Sequence, residues 1–492
     1  MSKIQVNHLS YGYPGSQKLV FEDVSFSIDT NWKLGLIGRN GAGKTTFLNL
    51  LLGKDTYQGS IQTDISFQYF PYPVKNKEDS IEQLIEQIEP EVELWKIQRE
   101  LHLLELPEQI LKRKYVHLSG GEQVKVMLAI LFAKEDCFLL LDEPTNHLDE
   151  NSKSVVQTYL SKKKGFIVVS HDRELLDKTV DHILAIHRTN IEICKGNFSV
   201  WKENKDRKEH EEWVQNETLK KDIVRLEQAS KSVSTWSDKV EKTKCGTRNA
   251  GLRPDRGHIG HQSAKMMKRA KAIERRYEKE VEQKESLLQN VEKKEELVMK
   301  PLVYSRPKLA TIYQLAIAYG EKPIVEQVTF TIERGDRIAV IGKNGAGKSS
   351  LLKLLWGQDI PHTGVCEVQK DLKISYVSQS TEELKGDLKT FARENQMEES
   401  IFKAMLSKLG VTASEFEKDI SSYSEGQKKK VLLAKSMTES ADLYIWDEPF
   451  NYIDILSRIQ IEEMLLKYQP TMIFVEHDKT FIGHVANKQI LL

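Results

Sequence analysis

The chain has 492 residues, enough for two or three domains that each bury a core. Lys and Arg total 72 and Asp and Glu total 72, so no global field draws the protein to nucleic acid, and any such surface must be local. No run of roughly 18 apolar residues offers a membrane span, no apolar signal region opens the sequence, and the four scattered cysteines predict free thiols in a reducing cytosol rather than a metal cluster.

Read in order, the chain falls into three zones: 1–204, a polar Lys/Glu-rich 205–300, and 301–492. In the first zone an apolar run at 34–37 leads into Gly38-Arg39-Asn40-Gly41-Ala42-Gly43-Lys44-Thr45, which fits G-x-x-x-x-G-K-[ST]. A helix-like segment opening with Thr46 follows. In such a loop the glycines let backbone N–H groups face phosphates, the lysine reaches the β/γ oxygens, and the hydroxyl of Thr45 is offered to Mg²⁺. Leu118-Ser119-Gly120-Gly121-Glu122-Gln123 comes next, and then an apolar strand from Cys137 that ends in Asp142-Glu143. The first acid is placed to hold Mg²⁺ and the second to polarise an attacking water.

The middle zone reads as two helices. Leu219, Ile223, Leu226, Val233 and Val240 stripe the first; Ala270, Ile273, Tyr277, Val281, Leu288 and Val291 stripe the second. These spacings predict an antiparallel coiled-coil hairpin. Gly246, Gly251, Pro254, Gly257 and Gly260 break the helix in a tip around 241–262. Lys242, Lys244, Arg248, Arg253 and Arg256 crowd that tip, where phosphate contacts would give affinity. His258 and His261 are there to stack or hydrogen-bond with RNA. A helix of about 35 residues would carry the tip roughly 50 Å.

The third zone repeats the first, which makes the chain an internal duplication. Its phosphate loop is Gly342-Lys343-Asn344-Gly345-Ala346-Gly347-Lys348-Ser349, followed by Ser350. Its acidic strand ends in Asp447-Glu448.

Leu118–Gln123 matches the signature motif of ATP-binding-cassette (ABC) ATPases, so the chain resembles that superfamily over both outer zones. The resemblance implies two tandem α/β ATPase domains, joined by the helical hairpin, that pair head to tail around two ATP molecules. Ser119, Gly120 and Gly121 would close on the Lys348 loop, and Ser424 and Gly426 on the Lys44 loop. His171 and His477 match the switch histidine, Tyr13 and Tyr319 the adenine-stacking aromatic, and Gln379 the glutamine that joins Ser349 and Asp447 at Mg²⁺. In the first half, alignment of the strand at 65–70 puts Phe70 at the position of Gln379, with Gln68 as a substitute on the same strand face. The second signature, Tyr423-Ser424-Glu425-Gly426-Gln427, sets a carboxylate where phosphate should approach, which predicts unequal sites.

Glu143-Pro144-Thr145-Asn146-His147-Leu148-Asp149 further resembles the ABC-F subfamily, and the long basic tip resembles its antibiotic-resistance branch of Lsa and Vga type. That resemblance implies a monomeric cytoplasmic ATPase with ATP and Mg²⁺ as cofactors. It would enter the E site of the bacterial 70S ribosome and extend its linker toward 23S rRNA, the P-site tRNA and the peptidyl-transferase centre. The drugs displaced would be lincosamides, pleuromutilins and streptogramin A. A housekeeping ABC-F translation factor is the alternative, and the ATPase subunit of an exporter a more distant one.

Overall fold

The computed structural model describes every residue except 1, 16–18, 147, 188–189, 243–264, 266–267, 270, 274, 278, 281–295, 320–322 and 344. The tip residues Lys244, Arg248, Arg253, Arg256, His258 and His261, and Asn344 of the second phosphate loop, thus lie outside the described residues.

The two apolar runs become central parallel strands, because strands covered on both faces need no polar alternation. The first cassette starts with β1 (Lys3–Gly12), β2 (Leu19–Asp29), β3 (Lys33–Ile37), β4 (Gln58–Gln62) and β5 (Ser66–Phe70). It continues with β6 (Cys137–Asp142), β7 (Phe166–Val169), β8 (His182–His187) and β9 (Asn190–Lys195). One sheet has the order β5-β6-β7-β3-β8-β9, in which β5 to β8 are parallel and β9 antiparallel; a second, antiparallel sheet has the order β2-β1-β4. β6 shows why both faces are apolar. Phe138 and Leu140 pack with Phe47 and the antiparallel-sheet residues Ile4 and Phe21, while Leu139 and Leu141 pack with helix residues such as Leu128 and Leu175.

The helices of this cassette include α1 (Lys44–Leu51), α2 (Ile81–Ile88), α3 (Leu94–Leu103), α4 (Gly120–Ala133), α5 (Glu150–Lys162) and α6 (Arg173–Thr179). Phe198 and Trp201, at the start of the 45-residue helix α7 (Phe198–Lys242), are buried in its core.

The second cassette repeats the plan with β10 (Lys308–Ala318), β11 (Pro323–Glu333), β12 (Arg337–Ile341), β13 (His362–Val368) and β14 (Ile374–Val377). β15 (Leu443–Asp447), β16 (Met472–Val475) and β17 (Lys488–Leu491) complete its strands. Its parallel sheet runs β14-β15-β16-β12-β17. Its helices include α8 (Lys348–Leu355), α9 (Leu388–Glu394), α10 (Glu399–Lys408), α11 (Glu425–Thr438), α12 (Ile455–Tyr468) and α13 (Lys479–Val485).

Both cassettes belong to one compact unit, Met1–Trp201 with Glu295–Leu492. They share a seam. Ile455 and Ile459 of α12 are buried in the first cassette's core, and Glu462 Oε2 lies 2.7 Å from Arg173 Nη2 of α6. Lys202–Lys294 form a second unit. There α7 is a single helix, and the described residues between 265 and 280 are helical. The pairing expected from the apolar stripes depends largely on Ala270, Val281, Leu288 and Val291, which lie outside the described residues.

Candidate nucleotide sites

The two phosphate loops have the same internal geometry. Each connects the end of a central parallel strand to a helix N-terminus, where open α/β sheets bind ligands. Gly41, Gly43, Gly345 and Gly347 all have φ between 78° and 96°, the left-handed region that side chains rarely adopt. A Cβ on Gly43 would also come within 2.6 Å of Val20, and one on Gly347 within 2.4 Å of Val325. Lys44 Nζ donates to Gly38 O at 2.8 Å and Arg39 O at 3.2 Å; Lys348 Nζ donates to Gly342 O at 2.7 Å and Lys343 O at 3.2 Å. The lysines are thus folded over their own loops, poised above the helix N-termini. Tyr13 Oη lies 2.5 Å from Thr46 Oγ1, and Tyr319 Oη 3.2 Å from Ser350 Oγ. Both rings are about half exposed, one flat surface beside each loop.

The acids sit one strand away. Thr45 Oγ1 donates to Asp142 Oδ2 at 3.2 Å, and Ser349 flanks Asp447. Asp447 is fully buried, with no other side-chain partner than Ser349 close to its carboxylate oxygens among the described residues, and burial raises its pKa. Buried anionic oxygens beside a hydroxyl fit a hard divalent cation. Glu143 and Glu448 follow at φ of 51° and 44°, strained for a non-glycine residue, and each is pinned by its N–H to the neighbouring strand, at Val169 O (2.9 Å) and Val475 O (3.1 Å). His171 Nε2 is 3.3 Å from Glu143 Oε1, and His477 Nε2 is 3.7 Å from Glu448 Oε1.

These equivalent acids have different electrostatics. Burial, with Asp142 beside it, pushes Glu143 up to about 8, and burial drives His171 well below the usual histidine range. His477, then Asn451 and Gln379, hold Glu448 down at about 2. The Gln379 amide donates to Glu448 Oε2 at 2.9 Å.

No such glutamine serves the first half, and the strand register corrects the sequence alignment there. Tyr69 pairs with Leu140 and Tyr376 with Ile445, each two residues before its acid. The position matching Gln379 is therefore Tyr72, not Phe70. Phe70 is in the core, and Gln68 points away from the nucleotide site to hydrogen-bond Glu89. Instead, Tyr69 Oη donates to Asp142 Oδ2 at 3.0 Å. The Ile65-Ser66 and Ile374-Ser375 pairs look alike but are offset by two residues in the hydrogen-bond ladder.

The seam brings one loop and one signature together. Ser424 caps α11, and a Cβ on Gly426 would come within 2.8 Å of Asn40 Nδ2 of the opposite phosphate loop. Asn40 N donates to Asp454 Oδ2 at 3.2 Å, and Asn40 Nδ2 to Tyr452 O at 2.7 Å. Asp454 is buried and paired with Lys430 Nζ at 2.8 Å, a partner that sequence reasoning missed; the signal was Lys428-Lys429-Lys430 opening an otherwise apolar helix. The reciprocal side is open. A cleft of about 900 Å³ is lined by Gly345, Gly347, Lys348 and Ser349 together with Asn146 and Leu148 of the first cassette, but not by Ser119, Gly120 or Gly121. Ser119 caps α4, and no atom lies within 4 Å of a Cβ built on Gly120. The Glu425 carboxylate is held by Thr381 and by Lys428 Nζ at 3.1 Å, and Glu425 lines the same cleft as Lys348 and Ser349.

Two parallel sheets, each with a phosphate loop, an acidic pair and a capped signature helix, define a nucleotide-binding cassette present twice. The ABC transporter domain matches residues 21–146 and 325–451, and the chain belongs to that family. Relatives that match over most of this chain include ABC-F proteins. The ribosome protection protein VmlR of Bacillus subtilis is 28% identical over 98% of this chain and 85% of its own length. The erythromycin resistance ATP-binding protein MsrA of Staphylococcus epidermidis is 29% identical over 93% of this chain and 91% of its own. The structure of an archaeal ribosome recycling factor, aABCE1, bound to the stalk protein aP1 superposes with a TM-score of 0.60 over 98% of this chain and 87% of that one; at 18% identity this shows the shared fold. No helix among the described residues is long and apolar enough to cross a membrane.

Proposed function

We propose that this chain is a monomeric, cytoplasmic ATPase that protects the bacterial 70S ribosome from antibiotics bound near the peptidyl-transferase centre. The observation that carries the reading is likeness along nearly the whole chain, linker included, to one relative named for ribosome protection and another named for drug resistance. ATP closes the cassettes head to tail, and the closed form occupies the E site. The linker tip approaches 23S rRNA and the P-site tRNA, and the lincosamide, pleuromutilin or streptogramin A leaves.

The residues divide the work of each turnover. The loop amides and Lys44 or Lys348 hold the phosphates, and Tyr13 or Tyr319 supports the adenine. Bound Mg²⁺, held by Thr45 and Asp142 or by Ser349, Asp447 and Gln379, would neutralise phosphate charge. Glu448, with His477 beside it, polarises the attacking water, and Glu143 with His171 form the corresponding pair. Ser119 and Ser424 present signature-helix N-termini to the nucleotide of the opposite cassette.

The test is drug susceptibility of a sensitive bacterial strain expressing the protein, across lincosamides, pleuromutilins, streptogramin A, macrolides and unrelated ribosome inhibitors. Raised resistance to the first three is expected. Unchanged susceptibility to every class would overturn the reading and put a housekeeping ABC-F translation factor ahead.

A further inference from the structure

Lys429, at the start of the second turn of α11, is a buried cation that no role above uses. It is only 1% exposed, a costly place for a charge unless its donors are satisfied. They are satisfied by main-chain oxygens. Lys429 Nζ donates to Ser378 O at 2.7 Å and to Asp447 O at 3.2 Å, with Gln379 O at 3.4 Å. An ammonium has three N–H groups, and three carbonyls receive them.

Those carbonyls belong to the two segments that must agree in position for chemistry at the Lys348 site. Ser378 and Gln379 form the loop that presents the Gln379 amide to Glu448 Oε2. Asp447 is the last residue of β15, immediately before Glu448. One side chain therefore ties the signature helix, the glutamine loop and the acidic strand at a single point. The acids around it are Glu476, Asp447 and Glu448, so its charge is also balanced from the β15 and β16 side.

The first cassette lacks this device. Counting from the capping serines, Ser119 and Ser424, the equivalent of Lys429 is Val124, which packs against the apolar core. The equivalents of Ser378 and Gln379 are Pro71 and Tyr72. The lysine and the glutamine are thus present together in one half and absent together from the other.

We infer that Lys429 is a positioning residue, which fixes the Gln379 loop to the end of β15 and so presets Gln379 and Glu448 at the Lys348 site, a control the Lys44 site does without. The inference rests on reading Lys348, Gln379, Asp447 and Glu448 as an ATP site. Without the tie, the loop keeps its fold but loses its fixed offset from the acidic strand. Substrate binding through the phosphate loop is spared, and the turnover step suffers.

The experiment uses the full chain and Lys429→Met, which keeps the volume and removes the donors. The expected result is a fall in kcat of about tenfold with KM for ATP little changed. A readout that needs no turnover accompanies it, the Mg²⁺ concentration that half-saturates binding of a fluorescent ATP analogue. It should rise about tenfold, as when a supporting hydrogen bond to a metal site is lost, while binding in EDTA stays at the parent value. Lys429→Gln, which retains an N–H donor, should recover part of both. Because Lys429→Met can fail to fold, Lys429→Gln is scored by the same two readouts. Parental kcat and parental Mg²⁺ dependence in the folded variants would overturn the inference. So would equal losses in kcat, nucleotide binding in EDTA and melting temperature, which mark a merely structural lysine. A parent chain that binds the analogue but does not hydrolyse ATP would overturn the ATPase reading instead, and the Mg²⁺ shift would still decide the role of Lys429.

Discussion

Glu143 and Glu448 hold the same place in their cassettes and meet different surroundings. Glu448 accepts amide hydrogen bonds from Gln379 and Asn451, whereas Glu143 is buried beside Asp142, with His171 Nε2 3.3 Å from its carboxylate. Replacing both by glutamine keeps shape and the phosphate contacts of the loops and removes the carboxyl groups that polarise the water. Glu143→Gln with Glu448→Gln should cut ATP hydrolysis by about 100-fold or more, leave ATP binding near the parent value, and enrich the protein on ribosomes sedimented with ATP. Parental hydrolysis in that variant would remove both acids from the mechanism. Cys137 allows a pH test at this scale. Burial at the start of β6 pushes its thiol up to about 11. Reaction requires thiolate, so in a variant keeping only Cys137 disulfide-reagent labelling should be slow at pH 8 and quicken as pH rises toward 11. Fast labelling of the folded protein at pH 8 would contradict the buried placement.

At the scale of elements, the two equivalent aspartates after the acidic pairs separate most clearly. Both cap a helix: Asp149 accepts from Ser152 N, and Asp454 from Ser457 N. Asp454 is also fully buried, paired with Lys430 and bonded to Asn40 of the opposite cassette, whereas Asp149 is exposed. Asp454→Ala would strand a buried ammonium, a loss of about 3–5 kcal/mol, against about 1 kcal/mol for a lost cap at Asp149. Urea denaturation of Asp454→Ala and Asp149→Ala should show this order, and the reverse order would disprove the buried-seam account. The seam has a second charged contact, Arg173 with Glu462, whose counterparts by position are Lys479 and Gln157. Two nearly repeated cassettes thus meet through non-repeated side chains, which is why one loop is covered while the other faces the cleft.

At the scale of the whole molecule, the linker separates this chain from a bare pair of cassettes. Residues 245–261 lie outside the described residues, so the prediction rests on their charge and their helix breakers. Replacing it by a short Gly-Ser turn should leave ATP hydrolysis intact, weaken ribosome binding in part, and abolish drug protection. Arg248→Ala, Arg253→Ala and Arg256→Ala together should reduce the salt dependence of ribosome binding, with intermediate protection. Full resistance in the trimmed protein would assign protection to another surface.

The sequence by itself determined the local chemistry. Phosphate loops, acidic strand ends, capping serines and the duplication are encoded within a few residues of one another, where glycine conformation, helix capping and strand apolarity act directly. It also predicts a break in the linker, since glycine and proline disfavour helix wherever they stand, on residues that lie outside the described ones. Only the tertiary structure decided what depends on partners distant in the chain. The β5–β6 hydrogen-bond ladder moved the first glutamine-loop position to Tyr72 and turned Gln68 to Glu89. Glu425 stands in the second signature by sequence, but its partner Thr381, 44 residues away, comes from the fold. Asp454 is buried by Lys430 and Asn40, the latter 414 residues distant, and nothing local distinguishes it from the exposed Asp149. Burial and charge pairing depend on which surfaces meet, and that is settled by packing two whole cassettes against each other, not by any short run of residues.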